Sequence, residues 1–140
     1  MTSGMIYLTR RERFSAAHRM FRQDWSDDEN KKVFGKCSNP NWHGHNYNLH
    51  VTVKGEMSEE NGFVMNLDTL KSIIQEKVIR KIDHKNINLE VDFMKGLIAT
   101  TENLAVAIWN ELEPHIENEG AQLHCVKIEE TENNSIEYYG

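Results

Sequence analysis

Residues 45–54 alternate without a break. Tyr47, Leu49, Val51 and Val53 fall on one side of an extended chain, and Asn46, Asn48, His50, Thr52 and Lys54 fall on the other. Successive side chains of a strand point to opposite faces, so this segment reads as a strand with one face in a core and the other in water. A half-buried strand needs neighbours in a sheet and an apolar layer against one face. Residues 5–15, rich in β-formers, read as a first strand. Residues 123–130 and 136–139 read as two more, joined through Glu132-Asn133-Asn134-Ser135.

Two helical periodicities lie between these strands. Leu67, Leu70, Ile73, Ile74 and Val78 recur at helical spacing behind a cap at Asn66 or Asp68. Leu104, Ala105, Ile108, Trp109 and Leu112 do so in a helix that starts near Thr101-Glu102 and is expected to stop around Pro114. The polar residues 22–42 read as a long loop with one helical turn at 27–33. Strands and helices are segregated, which points to an α+β fold: a four-stranded antiparallel sheet with two helices on one face. Such a sheet has open edges, and extension from subunit to subunit would cover them.

A chain of 140 residues, 39% hydrophobic and 27% charged, has the size of one soluble domain spanning 1–140. No run approaches the ~18 apolar residues needed to cross a bilayer, so no membrane partner is expected. Met1-Thr2-Ser3-Gly4 lacks a secretory start. Two cysteines, Cys37 and Cys125, cannot frame a disulfide-rich fold, and a cytoplasmic protein is expected. The net charge of −6 argues against a nucleic-acid partner, but its distribution is uneven. Residues 1–54 hold nine Lys/Arg against five Asp/Glu, and the remainder seven against seventeen. That split has two readings, an N-terminal portion that receives an anionic ligand or an uneven solvated surface.

His43-Gly44-His45 is the sharpest local motif. In an extended segment both imidazoles share a face and reach one point. His18 lies just past the first strand and can join them if the two strands pair. Three neutral imidazoles suit the open, catalytic kind of zinc site; a structural zinc would use four ligands, richer in cysteine. A His-x-His pair also occurs as ordinary surface histidine. His50, His115 and His124 carry no ligand reading: His50 is on the polar face, His115 follows Pro114, and His124 lacks a neighbour in sequence.

Cys37, six residues before His43, has three readings: a fourth ligand, a thiolate base beside the metal with Lys36 nearby, or an inert buried thiol. Asp83-His84 can form a proton relay or an ordinary polar loop. Glu130 closes the same-face run His124, Val126, Ile128, Glu130. A carboxylate there either binds a ligand, such as the amidine-like edge of a pterin or guanine, or frays into water beside Glu129.

Together these motifs are similar to those of the 6-pyruvoyltetrahydropterin synthase family along nearly the whole sequence. The matching stretches are Phe14-Ser15-Ala16-Ala17-His18-Arg19, Phe34-Gly35-Lys36-Cys37, Asn39-Pro40-Asn41, His43-Gly44-His45-Asn46-Tyr47, Met65-Asn66-Leu67, Asp83-His84-Lys85-Asn86, Thr100-Thr101-Glu102-Asn103 and Glu130-Thr131. The resemblance implies zinc, one per subunit, on His18, His43 and His45, and a catalytic triad of Cys37, Asp83 and His84. It implies that Glu130 anchors a pterin ring with Thr100, Thr101 and Glu102 nearby. It implies a tunnelling fold assembled as a homohexamer, a dimer of trimers whose sheets join into β-barrels, with each triad shared between subunits. The implied reaction converts 7,8-dihydroneopterin triphosphate to 6-pyruvoyl-tetrahydropterin and releases triphosphate, with Mg2+ accompanying the triphosphate.

Arg19, Arg22, Lys31, Lys32 and Lys36 are our candidates for holding the triphosphate, on charge alone. Trp42 departs from the glycine that is frequent before the histidine pair, and is expected to reshape the pocket mouth. The related 6-carboxytetrahydropterin synthases of queuosine biosynthesis usually place the cysteine four residues before the pair, against six here. A non-catalytic pterin-binding module would not need a thiol base.

Overall fold

The computed structural model describes residues 4–140. Met1, Thr2 and Ser3, on which the expectation of no secretory start rests, lie outside the described residues. Strand β1 (Met5–His18) is followed by helix α1 (Asp27–Phe34), a 3-10 turn (Gly35–Ser38) and strand β2 (His43–Glu56). Helix α2 (Leu67–Ile74) runs through a π-helical segment (Gln75–Ile79) into the short helix α3 (Arg80–Ile82). Then come a two-residue strand β3 (Lys85–Asn86), a helical turn α4 (Ile87–Glu90) and a 3-10 turn (Asp92–Met94). Helix α5 (Thr101–Asn118) and strands β4 (Gln122–Glu129) and β5 (Ser135–Tyr138) complete the fold.

The fold is α+β, with one sheet of order β3-β1-β2-β4-β5. β1 and β2 pair antiparallel over their full lengths, from Met5 opposite Glu56 to His18 opposite His43. The alternation of residues 45–54 sorts as expected: Tyr47, Leu49, Val51 and Val53 are at most 1% exposed. Val126 and Ile128 of β4 continue that face, and Leu70 and Ile74 of α2 and Leu104, Ile108 and Leu112 of α5 cover it. Ring stacking between the cross-strand partners Phe14 and Tyr47, with centroids 4.8 Å apart, closes one end of this core.

Several elements differ from their sequence reading, each for a local reason. β1 runs to His18, because pairing with β2 continues to the end of the histidine motif. The four antiparallel strands are joined by a fifth, β3, which pairs parallel with Ala16 and Ala17 only. The polar stretch after β1 holds a full helix, α1. Ser26 caps it by accepting from the Glu29 N–H at 3.1 Å, and Asp27, Asp28 and Glu29 lie at its positive end. Asn30 of α1 is buried and pins the preceding loop, accepting from Arg22 N–H at 2.8 Å and donating to Arg22 C=O at 3.0 Å. Asn66 is the cap of α2, accepting from both Asp68 and Thr69 N–H.

The last helix does not stop at Pro114. It continues to Asn118 and buries Ile116 completely. Proline removes one helical hydrogen bond, to the carbonyl of Asn110, and both residues face solvent, where water replaces the lost donor. The cost of about 3 kcal/mol for an interior proline is offset by burying Ile116, worth about 1.5–3 kcal/mol, and by the bonds of the last turn. A β-bulge alters β4: Thr52 pairs with Cys125 and Val53 with Leu123, so His124 is the extra residue. Its ring leaves the apolar face and meets Tyr7 and Tyr139, with centroids at 4.7 Å and 5.4 Å. The expected same-face run therefore holds for Val126, Ile128 and Glu130 but not for His124.

If α5 is built this way, Ile116→Ala costs about 2–5 kcal/mol in urea unfolding, the loss typical of a buried residue beyond the proline. A cost under about 1 kcal/mol would place Ile116 in a frayed end.

Candidate metal centre and adjoining clefts

The register of β1 against β2 brings three imidazoles together. His18 stands directly across from His43, and His45 stands across from Ala16, whose small side chain leaves room for the ring. Gly44, between the two β2 histidines, is needed for close packing: a Cβ there would lie 3.3 Å from the Ala16 carbonyl oxygen. The possible ligand atoms of His18, His43 and His45 all lie within 4.8 Å of one another. Each ring's Nε2 is buried without a hydrogen-bond partner. Three converging orphaned nitrogens are unfavourable by themselves and fit a cation that takes all three lone pairs.

His18 is preset for that role. Its Nδ1 lies 2.8 Å from the Ala99 carbonyl oxygen, which can only accept, so Nδ1 carries the proton and Nε2 the lone pair. Burial, followed by the neighbouring His43, holds the His18 imidazole below its ordinary pKa despite the Ala99 bond. Burial and then His45 lower that of His43. Both rings therefore favour the neutral, metal-binding form. The Tyr47 ring lies beneath the group, 5.6 Å from that of His45, and burial pushes its phenol well above the usual range.

Glu130 comes in from the end of β4. Its Oε1 is 3.8 Å from His45 Nε2, and its Oε2 accepts from the Thr101 hydroxyl at 2.6 Å. Thr101 is the first residue of α5, and Thr100 caps that helix by accepting from Asn103 N–H at 3.1 Å. Thr100, Thr101, Glu102 and Glu130 line one cleft of about 470 Å³, whose apolar wall includes Met20, Phe34 and Ile136. Glu130 and the three residues singled out around it thus meet in one place. Its carboxylate is held by a neighbour and does not fray into water.

Cys37 lies in the 3-10 turn after α1, half-buried. Its carbonyl accepts from Met20 N–H at 2.7 Å, and Arg19 Nε donates to Ser38 C=O at 2.7 Å. These bonds clamp the thiol-bearing turn to the segment that follows His18. Burial first, and the charge of Glu130 second, push the Cys37 thiol up. The protein alone therefore favours the thiol; a thiolate there needs added positive charge nearby.

Asp83 and His84 follow α3 at the open edge of β1. Asp83 Oδ1 accepts from Ser15 N–H at 2.9 Å, while His84 N–H donates to Ser15 C=O at 2.7 Å. Asp83 Oδ2 lies 3.1 Å from His84 Nδ1, so the two side chains touch. The backbone bond from Ser15, then His84, holds the Asp83 carboxyl below its ordinary pKa. His84 adopts φ 60°, and its side chain is 82% exposed. It borders a shallow depression with His45, Gly44 and Asn46 on the edge of the sheet.

Two partners were invisible in the sequence. The Ala99 carbonyl and the Ser15 backbone carry no side-chain signature, yet one sets the His18 tautomer and the other fixes Asp83-His84. Trp42 borders a cleft with Phe21, Leu97 and Ile98, at φ 62°. A left-handed tryptophan stores about 1–3 kcal/mol of strain.

A sequence model of the family described as 6-pyruvoyl tetrahydropterin synthase matches residues 7–140. The 6-pyruvoyl tetrahydrobiopterin synthase of Dictyostelium discoideum is 48% identical over 138 residues, 99% of this chain and 98% of that protein. The solved structure of Caenorhabditis elegans 6-pyruvoyl tetrahydropterin synthase superposes with a TM-score of 0.93 at 38% identity, covering 100% of this chain and 99% of that one. The 6-carboxy-5,6,7,8-tetrahydropterin synthase of Bacillus subtilis is more distant, 28% identical over 97 residues, 67% of this chain and 62% of that protein.

In chelated, metal-free protein, thermal stability rises with pH through the window just below 6.5, the ordinary histidine pKa. There the unfolded state still holds protons that His18 and His43 refuse when folded, so raising the pH favours the folded state. Melting curves across this window test it: His18→Gln flattens the slope, and an unchanged slope in that variant rejects the assignment.

Proposed function

The chain belongs to the 6-pyruvoyl tetrahydropterin synthase family, and on that premise we propose that it converts 7,8-dihydroneopterin triphosphate to 6-pyruvoyl-tetrahydropterin with elimination of triphosphate, in tetrahydrobiopterin biosynthesis. The carrying observation is a set of three histidines whose possible ligand atoms lie within 4.8 Å of one another, each with an unpartnered buried Nε2, beside a carboxylate that is itself fixed by Thr101. Residues 1–140 are read as one catalytic domain with the tunnelling fold.

Zn2+, one per subunit, would be held by His18, His43 and His45 through Nε2. When bound it supplies Lewis acidity toward the oxygens of the substrate's side arm and a positive charge that favours the thiolate of Cys37. Glu130 accepts the N–H groups of the pterin's 2-amino and N3 edge; its hydrogen bond from Thr101 orients the carboxylate and leaves lone pairs on both oxygens. Thr100 and Glu102 complete that cleft. Cys37 removes a proton from a carbon of that arm, and His84, oriented by Asp83 at 3.1 Å, relays protons during the internal redox shift. Mg2+ accompanies the triphosphate.

The exposure of His84 supports a site completed by a second subunit. So do the bare edges of the sheet: β3 covers only two residues of β1, and β5 forms the opposite edge. β1 and β5 run in opposite directions, so β5 of one subunit can continue antiparallel onto β1 of the next. Closure of three such sheets into a barrel, and pairing of two trimers into a homohexamer, is the assembly we propose. No helix among the described residues is long and apolar enough to cross a membrane, and two free cysteines suit our assignment to the cytoplasm.

Turnover of 7,8-dihydroneopterin triphosphate with zinc and magnesium, with product identification, tests the assignment. Release of triphosphate with the 6-pyruvoyl product is expected. A 6-carboxy product, or no released triphosphate, overturns it. Cys37→Ala is expected to keep the full metal content while losing at least about 10²-fold in kcat, the typical worth of a positioned base. Loss of the metal in that variant would make Cys37 a ligand instead. Glu130→Ala is expected to raise KM at least about tenfold, the loss of one or two charge-assisted hydrogen bonds, with metal content unchanged; an unaltered KM rejects the anchoring role.

A further inference from the structure

The first turn of α5 departs from the usual pattern of a helix start. Thr100 is the cap, so Asn103 stands at the third helical position. A side chain returning from there ordinarily accepts from the N–H of the cap residue. Asn103 donates instead. Its Nδ2 lies 2.9 Å from the carbonyl oxygen of Ile98, which also accepts from Thr100 N–H at 2.8 Å. A carbonyl oxygen can only accept, so the amide turns its nitrogen to Ile98. The helix dipole favours carboxylates in the first turn and gives a donor no advantage there. The bond therefore serves something other than α5.

What it serves is Ala99. The bond from Thr100 N–H to Ile98 C=O spans two peptide units and makes Ala99 the apex of a γ-turn. The carbonyl of that apex residue is the one that lies 2.8 Å from His18 Nδ1, and Ala99 itself is buried. Lys95, Gly96 and Leu97, which lead into the turn, are exposed, so the core does not hold it from that side. From the other side Asn103 holds both flanks. Its backbone N–H donates to Thr100 Oγ1 at 3.1 Å, and its side chain reaches past Ala99 to Ile98.

We propose that Asn103 is a positioning residue of the metal centre: its side-chain amide fixes the turn at Ala99, which keeps that carbonyl on His18 Nδ1 and the His18 Nε2 lone pair free for the cation. This rests on the reading of the three imidazoles as a metal site. Without the amide, one bent hydrogen bond closes the turn and the Ala99 carbonyl can swing away. A neutral imidazole that loses its acceptor takes either tautomer. The tautomer with the proton on Nε2 offers no lone pair to the metal. Asn103 touches neither the metal site nor the Glu130 cleft; its effect passes through Ile98, Ala99 and His18. A carboxylate of the same shape would suit the helix dipole yet could not hold Ile98.

Two measurements on the full chain test this without turnover: zinc affinity by chelator competition, and the His18 tautomer from ring-nitrogen NMR of the metal-free protein. Asn103→Ala and the near-isosteric Asn103→Leu both keep the backbone bond to Thr100 and lose the donor to Ile98. In each, the zinc Kd is expected to rise about tenfold, the lower end of what disturbing a metal ligand's outer partner costs. The His18 ring is expected to pass from Nδ1–H alone to a mixture of tautomers. Asn66→Ala, which removes the cap of α2, is the control for simple helix destabilisation. It is expected to lower the melting temperature and leave zinc affinity and tautomer as they were. Circular dichroism verifies folding, and Asn103→Leu decides if Asn103→Ala does not fold. Wild-type zinc affinity in the Asn103 variants, a His18 ring still wholly Nδ1–H, or an equal loss of affinity in Asn66→Ala overturns the role of Asn103 and leaves the metal centre standing. Failure of the wild-type chain to bind zinc overturns the metal centre itself.

Discussion

Everything chemical in this protein hangs on the pairing of β1 with β2 in one register. That pairing sets His18 opposite His43, Ala16 opposite His45 and Phe14 opposite Tyr47. Strand side chains alternate, so a slip of one residue would turn one strand's contribution out to the far face and separate the ligands. The register is held by the apolar face of β2, four residues at most 1% exposed, which cannot be turned outward without losing the core. The convergence of the three imidazoles and hydrophobic burial are therefore enforced by the same contacts. Gly44 serves both, since the strands could not approach as closely with a larger residue there.

The price of this arrangement is a buried polar cluster that the protein does not satisfy internally. An unpaired buried donor or acceptor costs about 1–3 kcal/mol, so three imidazole nitrogens together weigh noticeably against a total stability of about 5–15 kcal/mol. A bound cation relieves that cost and stabilises the folded state. The Cys37 thiol points the same way, since burial and Glu130 hold it protonated in the protein alone. The pocket is arranged for a charge that the polypeptide itself does not carry.

Side-chain pattern was the legible part of the sequence. The alternation of residues 45–54, the two helical periodicities and the His-x-His motif each translate directly into geometry. What escaped was set by backbone and by tertiary contact. Pro114 reads as a stop, but Asn110 and Pro114 face water while Ile116 reaches the core, so the helix continues. His124 reads as inward, but a one-residue bulge turns it out. β3 is two residues long and depends on Ala16 and Ala17 for its existence, so no local pattern could announce it. Asp83-His84 could be named as a relay, yet the Ser15 backbone that fixes it leaves no mark on composition. Five candidate cations were indistinguishable by charge, and only folding sorted Arg22 onto Asp24.

At residues 99–101, three consecutive positions hold three different things. The carbonyl of Ala99 fixes the tautomer of His18, Thr100 caps α5, and the Thr101 hydroxyl holds Glu130. A movement of this short segment cannot loosen one grip and leave the others untouched. The start of α5 thus ties the imidazole end of the site and the carboxylate end to one short run of backbone.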